Sequence, residues 1–113
     1  MEIYQPGEVV LLAFPFTDGL RQKQRPALIL LDVEDPDIIV ARITSQPHAT
    51  AFDVSLADFE AAGLLAASVV RLHKVATLEK TLVKRRLGRL SKRDWGNVSK
   101  TLRQIWSTAE PPA

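Results

Sequence analysis

The run Gly7-Glu8-Val9-Val10-Leu11-Leu12-Ala13-Phe14-Pro15 decides the fold class. It carries β-branched and apolar residues on both faces of an extended chain, the pattern of a strand covered on two sides at the centre of a sheet. Pro15 closes it. A polar loop from Thr17 to Gln24 follows, with a turn at Asp18-Gly19, and Arg25-Pro26 then leads into Ala27-Leu28-Ile29-Leu30-Leu31. Proline cannot donate to a ladder, so Pro26 is expected to mark the start of the second strand.

Working outward, Asp35-Pro36 makes a turn and Ile38-Ile39-Val40-Ala41-Arg42-Ile43-Thr44 reads as a third strand, with Arg42 and Thr44 on one face by alternation. Phe52-Asp53-Val54 is a short strand. Leu56 to Ala62 reads as a helical connector of one or two turns ended by Gly63. Ser68 to Val75 and Leu82 to Leu90 are expected to pair as strands, turning through Thr77 to Lys80. Five or six short strands of this kind predict a small β-barrel. The clearest helix begins at Ser91, which with Asp94 three residues on has the form of a capping box. Trp95, Val98, Leu102 and Ile105 then form one apolar stripe that should dock on the barrel.

With 113 residues, 46% hydrophobic and 25% charged, the chain is expected to be one globular domain spanning 1–113, with a frayed tail from about Thr108 to Ala113. It has no cysteine, which removes disulfides, thiolate nucleophiles and thiolate metal sites and suits a reducing cytoplasm. The N-terminus carries no targeting pattern, and the apolar run from Val9 to Phe14 is too short to span a bilayer, so no membrane association is expected. Net charge is only +2 but is segregated. Met1 to Val70 holds four Lys/Arg against ten Asp/Glu, a net of −6; Arg71 to Arg103 holds eleven against two, a net of +9. Such a field attracts a polyanion or an acidic partner, or else it is a solvated basic face.

Most catalytic constellations are missing. The two histidines, His48 and His73, stand in no HxH or HExxH pattern and near no carboxylate cluster at metal spacing, so no metal or other cofactor is expected. There is no glycine-rich phosphate loop and no nucleophile elbow. What remains is chemistry that runs on Arg, Thr, Ser and His. RNA strand cleavage is one such chemistry, because the substrate brings its own nucleophile, the 2′-hydroxyl. Arginine can then supply bidentate, charge-assisted hydrogen bonds to a phosphate gaining negative charge. Taken alone, Arg25 reads as a surface residue at a strand start and Thr44 as a good strand former.

The ordered blocks Gly7-Glu8-Val9-Val10-Leu11, Phe14-Pro15-Phe16-Thr17-Asp18, Arg25-Pro26-Ala27-Leu28-Ile29 and Ile43-Thr44-Ser45-Gln46 resemble the signature segments of the PemK/MazF toxin family. Gly63-Leu64, Ser68-Val69-Val70-Arg71-Leu72 and Leu87-Gly88-Arg89-Leu90 are similar to that family's second half, so the resemblance runs from Gly7 to about Trp106. It implies an SH3-like barrel with a C-terminal helix, a homodimer, and sequence-selective cleavage of single-stranded RNA to cyclic phosphate and 5′-hydroxyl ends. It also implies a cognate antitoxin, an acidic and partly disordered segment that folds onto the toxin. Carried over residue by residue, the MazF-like catalytic pair is Arg25 and Thr44, with Arg25 for proton transfer and phosphate stabilisation and Thr44 for positioning.

Kid-like members use an Arg-x-Asp unit, which here reads Arg71-Leu72-His73; the arginine matches and His73 replaces the acid. Arg71 and His73 are therefore secondary candidates. Phe16, Thr17, Arg21 and Lys23 on the polar loop, with Ser45, Gln46 and His48 after the third strand, are candidate RNA contacts. The basic block Lys84-Arg85-Arg86, Arg89, Lys92, Arg93 is a candidate phosphate or antitoxin surface, though alternation forbids all of it from facing one way. A non-catalytic RNA- or protein-binding module of the same fold is the competing expectation.

Overall fold

The computed structural model describes residues 2–15, 22–109 and 111. Phe16, Thr17 and Arg21, together with the Asp18-Gly19 turn, lie outside the described residues. Six strands form one antiparallel sheet: β1 (Glu8–Pro15), β2 (Gln22–Leu31), β3 (Asp37–Thr44), β4 (Asp53–Ser55), β5 (Val69–Glu79) and β6 (Val83–Arg89). A C-terminal helix α1 (Lys92–Thr108) follows. The sheet order is β4-β5-β3-β2-β1-β6. The expected β class with one C-terminal helix holds, but the sheet is not closed: β4 and β6 end it, and no pairing joins them among the described residues.

Both faces of the central strands are covered. One core gathers Val9, Leu28, Ala41, Ile43, Val70 and Leu72 with Val98 of the helix, and Trp95, Leu102 and Ile105 pack against it. The other gathers Tyr4, Val10, Leu12, Ala27, Ile29, Ile38 and Val40. Val9 of β1 feeds the first and Val10 and Leu12 the second, so the strand carries apolar residues on both faces.

Four expectations change in detail. Pro26 lies inside β2, opposite Leu11 of β1, rather than at the start of the strand. It is tolerated because β3 pairs with β2 only from Ala27 onward, so the Gln22–Pro26 part has an unpaired edge where no amide is needed. The Leu56–Ala62 connector is a run of turns, closed by Ala62 N to Phe59 O at 3.2 Å and Gly63 N to Glu60 O at 3.0 Å, not a helix. Gly63 does end it, at φ 78°. An added Cβ there would run into the Leu87 carbonyl, and one on Gly88 would come within 2.6 Å of the Ala62 backbone, so two backbones meet through two glycines.

β5 and β6 are not paired with each other. β5 runs on through Thr77 to Glu79 against β3, and after a short 3₁₀ turn at Lys80–Leu82 the chain crosses to β1. That corner is pinned by Lys80, whose buried Nζ meets Asp32 Oδ1 at 3.0 Å and the Glu2 carbonyl at 2.9 Å. Finally, the capping box is half formed. Ser91 Oγ accepts from Asp94 N at 3.2 Å, but the fully buried Asp94 carboxylate accepts from Ala57 N at 2.9 Å and Asp58 N at 2.8 Å. Asp94 thus ties the helix start to the turn run beneath it. The helix continues through Thr108, where the tail was expected to begin.

Candidate active site

The arginines of the site are set by register. Leu11 of β1 lies opposite Arg85 of β6 on one side and Pro26 of β2 on the other, and one step along, Ala27 lies opposite Arg42 of β3. Adjacent strands are about 4.8 Å apart, so the path from β6 to β3 spans roughly 14 Å, the reach of a stretch of nucleic-acid backbone rather than of one small anion. A cleft of about 610 Å³ opens along this path. Lys23, Arg25, Arg42 and Arg85 line it, with Thr44, Ser45 and Gln46 at the end of β3 and the Gly63–Ala66 segment as the facing wall. On that wall the Leu65 side chain is fully exposed.

The local chemistry suits a phosphodiester. Arg25 spends one N–H on the carbonyl of its neighbour Gln24, at 2.9 Å, and pairs with no carboxylate among the described residues. Its other donors are available, in a planar fork that fits two phosphate oxygens. Thr44 Oγ1 accepts from Gln46 N at 3.1 Å, which fixes the hydroxyl and leaves its O–H as a donor into the cleft. Arg42 and Arg85 likewise have no acidic partner among the described residues. A cleft with several uncompensated cations and few anions in its wall draws a polyanion.

Arg71 lies opposite Arg42 in the β3–β5 ladder, one strand beyond the cleft lining, and with His73 it lies toward the β4 edge. Arg71 Nε meets Asp53 Oδ1 of β4 at 2.9 Å, with side-chain exposures of 12% and 1%, so the carboxylate is covered and the arginine partly so. The carboxylate beside Arg71 is thus that of Asp53 on the neighbouring strand, and residue 73 is a histidine. Burial alone would raise the Asp53 carboxyl, but hydrogen bonds from Arg71 and from the Thr50 hydroxyl and amide outweigh it and hold that carboxyl far below the usual range. His73 Nε2 sits 3.3 Å from Arg71 Nη2 and its ring tilts against Phe52 at 5.9 Å. His48 lines a neighbouring cavity instead of the cleft.

The basic block divides as alternation requires. Arg85 faces the cleft, whereas Arg86 meets Glu8 and Glu2, each at 2.9 Å, and covers the Tyr4 ring at 4.4 Å. Arg93 pairs with Asp58 at 2.7 Å, and that contact, with the Ser91 hydroxyl, lowers the Asp58 carboxyl. Sequence reasoning placed Arg42 only as a face-mate of Thr44 and Arg85 only as one of a block. Their two-residue spacing from Thr44 and Leu87 was the signal, and the strand order needed to use it was missing. Among the described residues no group of three or more His, Asp or Glu is placed to hold a metal, and no helix is long and apolar enough to cross a membrane.

Fold and cleft together define a small antiparallel-sheet protein with a single C-terminal helix and a cationic groove of nucleic-acid dimensions. Residues 5–106 match the family model of PemK-like, MazF-like toxins of type II toxin-antitoxin systems, and the chain belongs to that family. Solved structures share the fold at low identity. A MazE–MazF crystal structure from Deinococcus radiodurans superimposes with a TM-score of 0.77 at 18% identity, covering 96% of this chain and 100% of that one. An endoribonuclease in complex with its cognate antitoxin, from a mycobacterial species, gives 0.74 at 16% identity over 96% and 100%. The Mycobacterium tuberculosis toxin MazF-mt6 gives 0.69 at 20% identity over 87% and 96%. Among curated protein sequences no match was found.

Proposed function

We propose that this chain is the toxin of a type II system and a metal-independent endoribonuclease that cuts single-stranded RNA in the Arg25–Thr44 cleft. The observation that carries this reading is the meeting of Arg25, Arg42 and Arg85, from three strands, with an oriented Thr44 hydroxyl in one groove. In the reaction the 2′-oxygen bonds to phosphorus as the bond to the 5′-oxygen breaks, and the proton lost from the 2′-hydroxyl is replaced by one on the leaving 5′-oxygen. The products are a cyclic phosphate and a 5′-hydroxyl end.

Arg25 donates to the non-bridging oxygens as charge builds on them, and Thr44 fixes the phosphate or the 2′-hydroxyl. A guanidinium keeps its proton, so Arg25 neither takes the 2′-hydroxyl proton nor readily gives one up, and its weight falls on charge stabilisation, while water carries the proton from the 2′-oxygen and delivers one to the leaving 5′-oxygen. Arg42 and Arg85 hold flanking phosphates. Ser45, Gln46 and Lys23 contact the RNA beside them, and Arg71 serves the fold through Asp53.

Family membership further supports a homodimer and an acidic, partly disordered antitoxin, working where the RNA is, in the bacterial cytoplasm. The MazE–MazF and toxin–antitoxin structures that share the fold favour the same assembly. The test is to incubate the purified chain with a long RNA in EDTA and analyse the ends. Cyclic phosphate and 5′-hydroxyl products, lost by about 100- to 1,000-fold in folded Arg25→Ala and strongly reduced in Thr44→Ala, are expected. Intact RNA across varied sequences would favour the non-catalytic binding module.

A further inference from the structure

Beside the cationic cleft lies a second cavity of about 390 Å³ with a different chemistry. Ser45, His48, Ser55, Ala67, Ser68 and Val69 line it, and none of its described lining residues is Lys, Arg, Asp or Glu. Ser45 and Ser68 belong to both cavities, so the two are continuous around the end of β3. Ser45, one residue past Thr44, is where the two spaces join.

We propose that this cavity is a nucleobase pocket, which takes the base of a nucleotide next to the scissile bond while its phosphates remain in the cleft. The proposal rests on the reading of the cleft as an RNA-cleaving site. A base is neutral, flat and edged with donors and acceptors, and single-stranded RNA is read by splaying such bases into pockets that bond their edges. The walls supply what that requires. Ser68, itself buried, donates its hydroxyl to the Ala66 carbonyl at 2.8 Å, which locks it and leaves Oγ as an acceptor. The half-buried His48 ring has no hydrogen-bond partner among the described residues and offers either a donor or an acceptor nitrogen. Ala67 and Val69 give apolar surface for the ring face. The absence of charge from the wall argues against a phosphate site and for a base.

The two edges of the pocket differ in firmness. Ser55 and Val69 are opposite one another in the β4–β5 ladder, and Leu56 N bonds Ser68 O at 3.0 Å, so that side is rigid. The His48 side is loop. A rigid wall against a loop wall is suited to selecting one base over others, because a base without a donor at the right edge leaves the acceptor of the locked Ser68 hydroxyl unused.

The experiment is to cleave a random-sequence RNA pool with wild type, His48→Ala and Ala67→Phe, each verified by its Tm, and to sequence the new ends. Ala67 is exposed at the mouth, so phenylalanine there fills the pocket without entering the core. Base preference at one position beside the cut should flatten in both variants, with preference elsewhere kept and cleavage of the best sequence down about tenfold. An abasic nucleotide at that position should cost wild type the same factor and cost Ala67→Phe nothing more. Variants that keep the wild-type preference and a rate within twofold overturn the pocket alone. A wild type that leaves the pool intact overturns the cleavage reading and the pocket with it.

Discussion

Arg85 and Arg86 are consecutive on β6 and do opposite work. Arg85 joins Arg25 and Arg42 in the cleft and forms no ion pair among the described residues, while Arg86 clasps Glu2 and Glu8 and lies on Tyr4. The same division separates Arg25 and Arg42 from Arg71, Lys80 and Arg93, each of which holds an acid from the first part of the chain: Asp53, Asp32 and Asp58. The basic second half and the acidic first half therefore neutralise one another in good part on folding. The charge that remains for a substrate is chosen by strand parity and sheet order, and a count along the chain does not reveal it.

If the tied cations serve the fold, removing their partners should cost stability first. Asp53→Ala leaves a half-buried Arg71 without its carboxylate and is expected to cost about 1 to 3 kcal/mol, read as a lowered denaturant midpoint. The pH dependence has a definite sign. Asp53 and Asp32 have folded pKa values held below the unfolded ones, so protonation favours the unfolded chain. Their contribution is full above the ordinary carboxylate range of about 4 and is lost as pH falls below it. A shallower acid loss of stability in Asp53→Asn would sharpen this assignment, and an unchanged acid profile would break it.

If the cleft cations serve the substrate, Arg42→Ala and Arg85→Ala should each lower kcat/KM about tenfold, with Tm unmoved, and flatten the salt dependence of RNA binding by roughly 0.7 in log–log slope. Ser91→Ala, which loses both the cap to Asp94 N and the bond to Asp58, is expected to cost about 1 kcal/mol without touching cleavage by the folded fraction. Smallest is Arg93→Ala. Its ion pair stands in solvent with the arginine side chain 65% exposed, so the denaturant midpoint should hardly move, and a clear drop would show that the surface pair does more than its exposure suggests.

How much of this was legible in the sequence follows from which interactions are local. Strands β1 and β3 and the helix were readable because alternation, Ser91 and the Trp95-Val98-Leu102-Ile105 stripe are signals within a few residues. That β5 pairs with β3 and β6 with β1, not with each other, was not, because neighbours in sequence usually pair and nothing local announces a crossover. The same limit governs the site. Arg42 and Thr44 could be put on one face of β3, but the arrival of β6 beside β1, which brings Arg85 to them, is a property of the whole sheet. Asp94 was read as a local cap because the partners of its carboxylate, Ala57 N and Asp58 N, lie 37 and 36 residues away. Arg71 was drawn toward the chemistry by its motif, and only the fold shows Asp53 already holding it.

One measurement confronts the two groups of arginines directly: Tm and kcat/KM for RNA cleavage, determined on the same preparations of Arg25→Ala and Arg71→Ala at a temperature where both are folded. Arg25→Ala is expected to keep the wild-type Tm and lose cleavage by about 100-fold or more, whereas Arg71→Ala should lose several degrees of Tm and keep cleavage within a few fold. A stable Arg71→Ala without activity, beside an Arg25→Ala that still cuts, would contradict the assignment and move the chemistry to the β4 edge.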